Sequence, residues 1–194
     1  MNEFQLYFGI GKDHILDYQG YDHILFVIAL SAVYLIRDWQ RVLVLVTAFT
    51  IGHSITLALA TLRIISVNTG IIEFLIPLTI LITAASNIIQ TKEPTGKGPV
   101  QLNYFYALFF GLIHGLGFST LLRALLGKSQ NITTPLLAFN LGLELGQIII
   151  VTLFLGISYI VVDRLKANRR YWRVTVSAAA GIVALWLMKD RIFW

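Results

Sequence analysis

The chain contains no cysteine. Disulfides, thiolate metal sites and cysteine nucleophiles are therefore excluded. Charge is scarce as well: 13% of the 194 residues are Asp, Glu, Lys or Arg, against about 25% in a typical soluble domain. Several catalytic signatures are also missing. There is no GxxxxGK[ST] phosphate loop, no HExxH zinc motif and no Gly-x-Ser-Gly nucleophile motif, Ser119 in GFST being off-pattern. ATP-driven transport by this chain and the two best-known intramembrane protease chemistries lose their usual markers. The first eighteen residues, MNEFQLYFGIGKDHILDY, lack a basic start, a long apolar stretch and a small-residue cleavage site. They read as an extracytoplasmic or interfacial segment, residues 1–20, rather than as a signal peptide.

Apolar residues fill the composition instead. They make up 57% of the chain, with a mean hydropathy of +0.75, which is the profile of an integral membrane protein. The net charge of +5 does not argue for nucleic acid, because the Lys and Arg residues stand between apolar runs. There they act as topology determinants.

A helical span needs about 20 mostly apolar residues. Six candidates satisfy or approach that length: 21–36, 42–62, 70–90, 101–125, 133–162 and 171–189. The expected fold is an all-α, polytopic bundle of six transmembrane helices forming a single membrane domain over 1–194. The runs are too long, and alternate too little, for barrel strands. The segment TKEPTGKGPV at 91–100 is the one linker-like break. Nine basic residues fall at the breaks of one side and six on the other, with a dense cluster at 164–173. The positive-inside rule then places both termini outside the cytoplasm.

Polar letters recur inside the apolar runs: GYDHILF at 20–26, FTIGHSITL at 49–57, GIIEFLIPL at 70–78, GLIHGLGF at 111–118 and FNLGLELGQ at 139–147. Placed by depth, Asp22, His23, His53, Glu73, His114, Asn140 and Glu144 all fall in the outer half of the bundle. Thr50, His53 and Ser54 share a helix face, as do Asn140, Glu144 and Gln147. An intramembrane charge costs about 2.5–3.5 kcal/mol on insertion scales, and three carboxylates lie in spans with basic residues only at span edges. Such carboxylates must be protonated, hydrated or neutralised by a cation. Imidazole with carboxylate suits divalent Ni, Co or Zn, so a metal ion is the expected ligand or substrate, with no organic cofactor.

Structural alternatives stand beside each assignment. Asp22 also fits a helix cap, Glu73 the N-terminal dipole of its helix, and His53 an interhelical hydrogen bond. His14 reads as interfacial or as part of an entrance. AFTIG at 48–52 resembles AFNLG at 138–142, and a similar offset brings His23 within one residue of His114. This pattern suggests a 3+3 inverted repeat, a plan found in transporters with a site near the repeat interface.

Taken together, GYDHILF, FTIGHSITLALA, Glu73, FFGLIHGLGFSTLL and FNLGLELGQ resemble the HupE/UreJ family over roughly residues 9–160. That resemblance implies a bacterial inner-membrane permease for nickel or cobalt serving hydrogenase and urease assembly. It implies His23, His53, His114, Asp22, Glu73 and Glu144 along the metal path. From their positions in the chain, Thr50, Asn140 and Gln147 are expected to tune or hydrate the site, with Ser54 and His14 beside the path. Where the better-studied branch carries a second histidine in this element, the present chain reads HGLGF. The expected partners are the metal ion and the lipid bilayer, and a homo-oligomer is compatible with the reading. Two rival readings remain at this stage: an intramembrane zinc hydrolase, and a metal-sensing or accessory subunit.

Overall fold

The computed structural model describes residues 2–18, 20–90, 99–126 and 132–192, with side chains in the third segment from residue 103. The linker-like break at 91–100 and the break at 127–134 lie largely outside the described residues. Seven α-helices occur among those described: α1 Glu3–Leu16, α2 Asp22–Ser31, α3 Trp39–Thr61, α4 Thr69–Ile89, α5 Pro99–Leu126, α6 Thr133–Ser158 and α7 Arg169–Asp190. A 3₁₀ turn, Ile36–Asp38, precedes α3, and a π-helical segment, Tyr159–Arg164, continues α6.

Among the described residues, five helical stretches are long and apolar enough to cross a membrane: Ile36–Thr61, Thr69–Ile89, Asn103–Leu126, Thr133–Arg164 and Arg169–Asp190. They match the second to sixth predicted spans closely. Their outward faces are apolar; on α6, for example, Leu137, Leu141, Leu145, Ile149 and Leu153 recur every fourth residue and stay exposed. The chain is thus a multi-pass helical membrane protein.

The first predicted span, 21–36, is corrected. Its helix α2 has ten residues, about 15 Å at 1.5 Å per residue, half of a bilayer core of about 30 Å. The chain then turns at Ala32–Leu35, yet these residues are buried rather than exposed to lipid. Irregular backbone at such a position needs protein partners, and it has them. Arg169 Nη2 donates to the Val33 carbonyl (3.0 Å) and Asn103 Nδ2 to the Tyr34 hydroxyl (2.9 Å). Within the N-terminal segment, residues 3–16 form α1. Asn2 starts that helix through a capping box, accepting from Gln5 N while Gln5 Oε1 accepts from Asn2 N; the reciprocal pair satisfies two end donors at once.

Helix packing follows a repeated pattern. In α3·α5, a Cβ added at Gly52 would strike the Leu108 carbonyl, and one at Gly111 would strike the Phe49 carbonyl. In α1·α6, a Cβ at Gly142 would strike the Phe8 carbonyl, and one at Gly11 the Phe139 carbonyl. Residues 8 and 11 stand 100 positions before 108 and 111, and residues 49 and 52 stand 90 before 139 and 142. The contact Gly115 to Thr56 reappears with roles exchanged as Ile15 to Gly146. Helices α4 and α7 complete the set: Asn68 and Asn168 cap them, 100 residues apart, and Gly181 packs on Leu81 and Ala84.

The contacts therefore relate α1, α3 and α4 to α5, α6 and α7, with α2 inserted in the first half. The counterpart of His114 is His14 of α1, not His23. Because α3, α4, α5 and α6 each traverse the bundle in turn, α3 and α6 run in opposite directions, as an inverted repeat requires.

Small residues permit this backbone approach, so their loss has a sign. Gly111→Ala is expected to destabilise the protein by about 1–3 kcal/mol through overpacking. Gly156→Ala, where an added Cβ meets nothing within 4 Å, should be near neutral. Thermal unfolding in detergent, followed by circular dichroism, checks the pair.

Candidate functional site

Four histidines from four helices converge. His14 of α1 lies 4.6 Å from His23 of α2, ring centroid to centroid, and 6.3 Å from His53 of α3. His23 lies 5.1 Å from His114 of α5. His53 and His114 are fully buried, His23 nearly so and His14 half-buried. Aromatic rings wall the cluster: Phe118 touches His14 (4.2 Å), Phe139 stacks on His53 (6.0 Å), and Phe26 and Phe49 flank His114 (5.1 Å each).

The glycine contacts explain the placement of two of these rings. Gly115 lies against the His53 carbonyl, so the residue beside it, His114, is brought to the level of His53. Its Nδ1 donates to the Phe110 carbonyl at 2.8 Å. A carbonyl can only accept, which makes Nδ1 the protonated nitrogen and Nε2 the bare one. His23 is oriented by its neighbour: Asp22 Oδ1 faces His23 Nδ1 at 3.0 Å and also accepts from the His23 backbone N–H at 2.9 Å. A carboxylate behind an imidazole fixes the ring and turns Nε2 outward. The Nε2 atoms of His14, His23, His53 and His114 are all buried and unpaired, as is Nδ1 of His53.

A cavity of about 500 Å³ opens onto this cluster. His14, His23 and His114 line it with Asp17, Asp22, Glu73 and Arg191. Its lining thus carries three carboxylates and one guanidinium. An adjoining depression shares His14, Asp17, Phe118 and Leu121 and widens the mouth. Among the described residues, no three His, Asp or Glu side chains are drawn together as a ready-made metal-holding group.

Arg191, at the end of α7, was missed by sequence reasoning. Its Nη1 bonds Asp22 Oδ2 at 2.9 Å and reaches the Glu73 carbonyl at 3.4 Å. Pro77 stands inside α4, and a proline has no N–H for the carbonyl four residues earlier. The Glu73 carbonyl is therefore left for Arg191. The Glu-x-x-x-Pro spacing was the available signal.

The remaining expected residues divide. His53 sits behind the cavity rather than on its lining, with Asn140 as its polar neighbour; Asn140 Nδ2 donates to the Leu136 carbonyl and its Oδ1 is unsatisfied. Thr50 donates to Gln147 Oε1 at 2.8 Å, and Ser54 donates back to the Thr50 carbonyl. Glu144 is not brought to the cavity. It accepts from Thr47 at 2.7 Å on the half-exposed seam of α3 and α6.

From the cluster toward the other end, α4 presents Thr79, Thr83 and Asn87 at every fourth position, all buried. Asn87 Nδ2 closes that end, donating to the Ala29 carbonyl (2.7 Å) and to Ser177 (3.2 Å). A pocket of about 10 Å³ lies beside it. Among the described residues, the cavity opens at one end of the bundle, and toward the other Asn87 is bonded to α2 and α7.

These features define a polytopic membrane protein with an acidic, imidazole-lined cavity reached from one side. The profile of the family described as HupE / UreJ protein matches residues 1–190, and the chain belongs to that family. No curated protein and no solved structure matches it.

The backbone bond of His114 makes a spectroscopic prediction. Nitrogen-15 NMR of histidine-labelled protein should assign His114 to the Nδ1–H tautomer, with Nε2 unprotonated. An Nε2–H signal for this ring would contradict the geometry.

Proposed function

We propose that this protein takes up a divalent transition-metal ion, nickel or cobalt foremost, at the histidine cavity and passes it across the bacterial inner membrane. One observation carries the reading: three imidazoles from separate helices, with a fourth behind them, bury unpaired nitrogens beside one acidic cavity. A buried polar group left without a partner costs about 1–3 kcal/mol. A fold that assembles several of them around a space reached from one end is organised for a ligand that satisfies them. Neutral imidazole nitrogens flanked by carboxylates select borderline divalent cations.

His14, His23 and His114 are the nitrogen donors at the cavity, with His53 behind them. Asp22 orients His23, and Glu73 draws the cation to the mouth. The family's general association with nickel and cobalt transport, or with urease and hydrogenase maturation, supports the choice of metal. The open cavity at one end and the Asn87 closure at the other support passage rather than storage. The basic cluster at 164–173 belongs to the end away from the cavity. By the positive-inside rule that end is cytoplasmic and the cavity faces outward.

In whole cells expressing the chain, His114→Ala and His23→Ala should each lower cobalt or nickel accumulation by about tenfold or more, in line with the cost of losing a group that orients or binds a metal. Uptake equal to wild type in both variants would sink the proposal. Glu144→Gln serves as a contrast: purified protein carrying it should bind cobalt within about twofold of wild type, about 0.4 kcal/mol, as isothermal titration would show.

A further inference from the structure

We propose that Arg191 is a resident counter-cation of the pocket, holding Asp22 until a divalent ion enters and displaces it. The inference rests on the cation-binding reading above and assigns a regulator to that same site.

Asp22 is almost completely buried, with its side chain 8% exposed. Each of its oxygens has an assigned task. Oδ1 serves His23, taking the ring Nδ1 and the backbone N–H. Oδ2 serves Arg191. The oxygen that could meet an incoming ion is therefore the one a guanidinium already covers.

The hold is built to be exchangeable. A guanidinium binds a carboxylate most firmly through two parallel N–H donors. Here one nitrogen, Nη1, serves both Asp22 Oδ2 and the Glu73 carbonyl, the latter at 3.4 Å. The Arg191 side chain is 25% exposed and lines the open cavity, so water reaches it and weakens its attraction to the carboxylate. Arg173, by contrast, is buried at the closed end and donates to the Gln90 carbonyl at 2.6 Å. Burial of Asp22 makes some cation obligatory, since a buried carboxylate left unpaired is strongly destabilising. Exchange of guanidinium for a divalent ion keeps Asp22 compensated at every stage and doubles the charge delivered.

Arg191 also ties three elements together. It sits at the end of α7, reaches the first residue of α2 and takes the α4 carbonyl that Pro77 leaves free. Its release would separate the end of α7 from α2, while Gly181 keeps α7 packed on α4. Ion entry is thereby linked to a change at the mouth.

The sign of one substitution tests this. Purified full-length protein in detergent is titrated with cobalt(II) by calorimetry, as wild type, R191Q, D22N and the double variant. If Arg191 competes with the ion, R191Q binds cobalt about fivefold more tightly, about 1 kcal/mol, and the gain vanishes in the D22N background. Millimolar methylguanidinium should weaken cobalt binding to R191Q and leave wild type unchanged, which a merely structural role would not produce. A folded R191Q with unchanged or weaker affinity overturns the inference. Absence of binding to folded wild type and R191Q alike overturns the cation-binding reading itself. Should R191Q not fold, R191K keeps the charge but loses the planar fork; a gain of about twofold supports the inference, and no gain overturns it.

Discussion

Contact between helix backbones at glycine is the constraint on which the rest of this molecule depends. In a bilayer, apolar side chains gain little by leaving lipid, so close packing and buried polar contacts must hold the helices together. At Gly52 and Gly111 the α3 and α5 backbones meet with no side chain between them, and at Gly115 the α5 backbone meets the His53 carbonyl and the Thr56 side chain. That approach puts the carbonyl of His53 against the residue next to His114. A methyl group at any of the three would push the helices apart and move the imidazoles with them. Site geometry here is a by-product of helix separation.

The same device operates in α1·α6, and the two pairs correspond position by position. Yet the halves are not interchangeable. His14 and His114 are counterparts, whereas His53 has Leu143 at its matching position in α6. Helix α2, which brings Asp22 and His23, belongs to one half only. A symmetric frame therefore supports an asymmetric lining. This asymmetry accounts for a cavity at one end and a hydrogen-bonded closure, centred on Asn87, at the other.

Much of this was legible in sequence, because the signals were local. Five spans follow from hydropathy alone, and the polar motifs named residues that the fold does bring together: His23, His114, Asp22 and Glu73. Failures came where the decisive partner was distant or the element was short. Helix α1 carries charges and has only 14 residues, so hydropathy treats it as interfacial; its glycines gain meaning only against α6. The end of α2 depends on Arg169 and Asn103 satisfying buried groups that no window can see. Glu144 shares a face with Asn140 and Gln147, but spacing says nothing of which neighbour that face meets. It meets Thr47 of α3 rather than the cavity.

Arg191 shows how a basic residue at a span edge becomes part of a site. By composition it is one more topology determinant, 169 residues from Asp22. Its role arises from two deficits created elsewhere. Pro77 frees a carbonyl on α4, and burial of Asp22 demands a positive partner. A single guanidinium meets both because α7 packs along α4 and ends beside α2. Each deficit is small in sequence terms, one proline and one aspartate, and neither points to Arg191 alone. Only their convergence at the mouth of an acidic cavity sets the arginine between a buried carboxylate and the carbonyl that Pro77 leaves free.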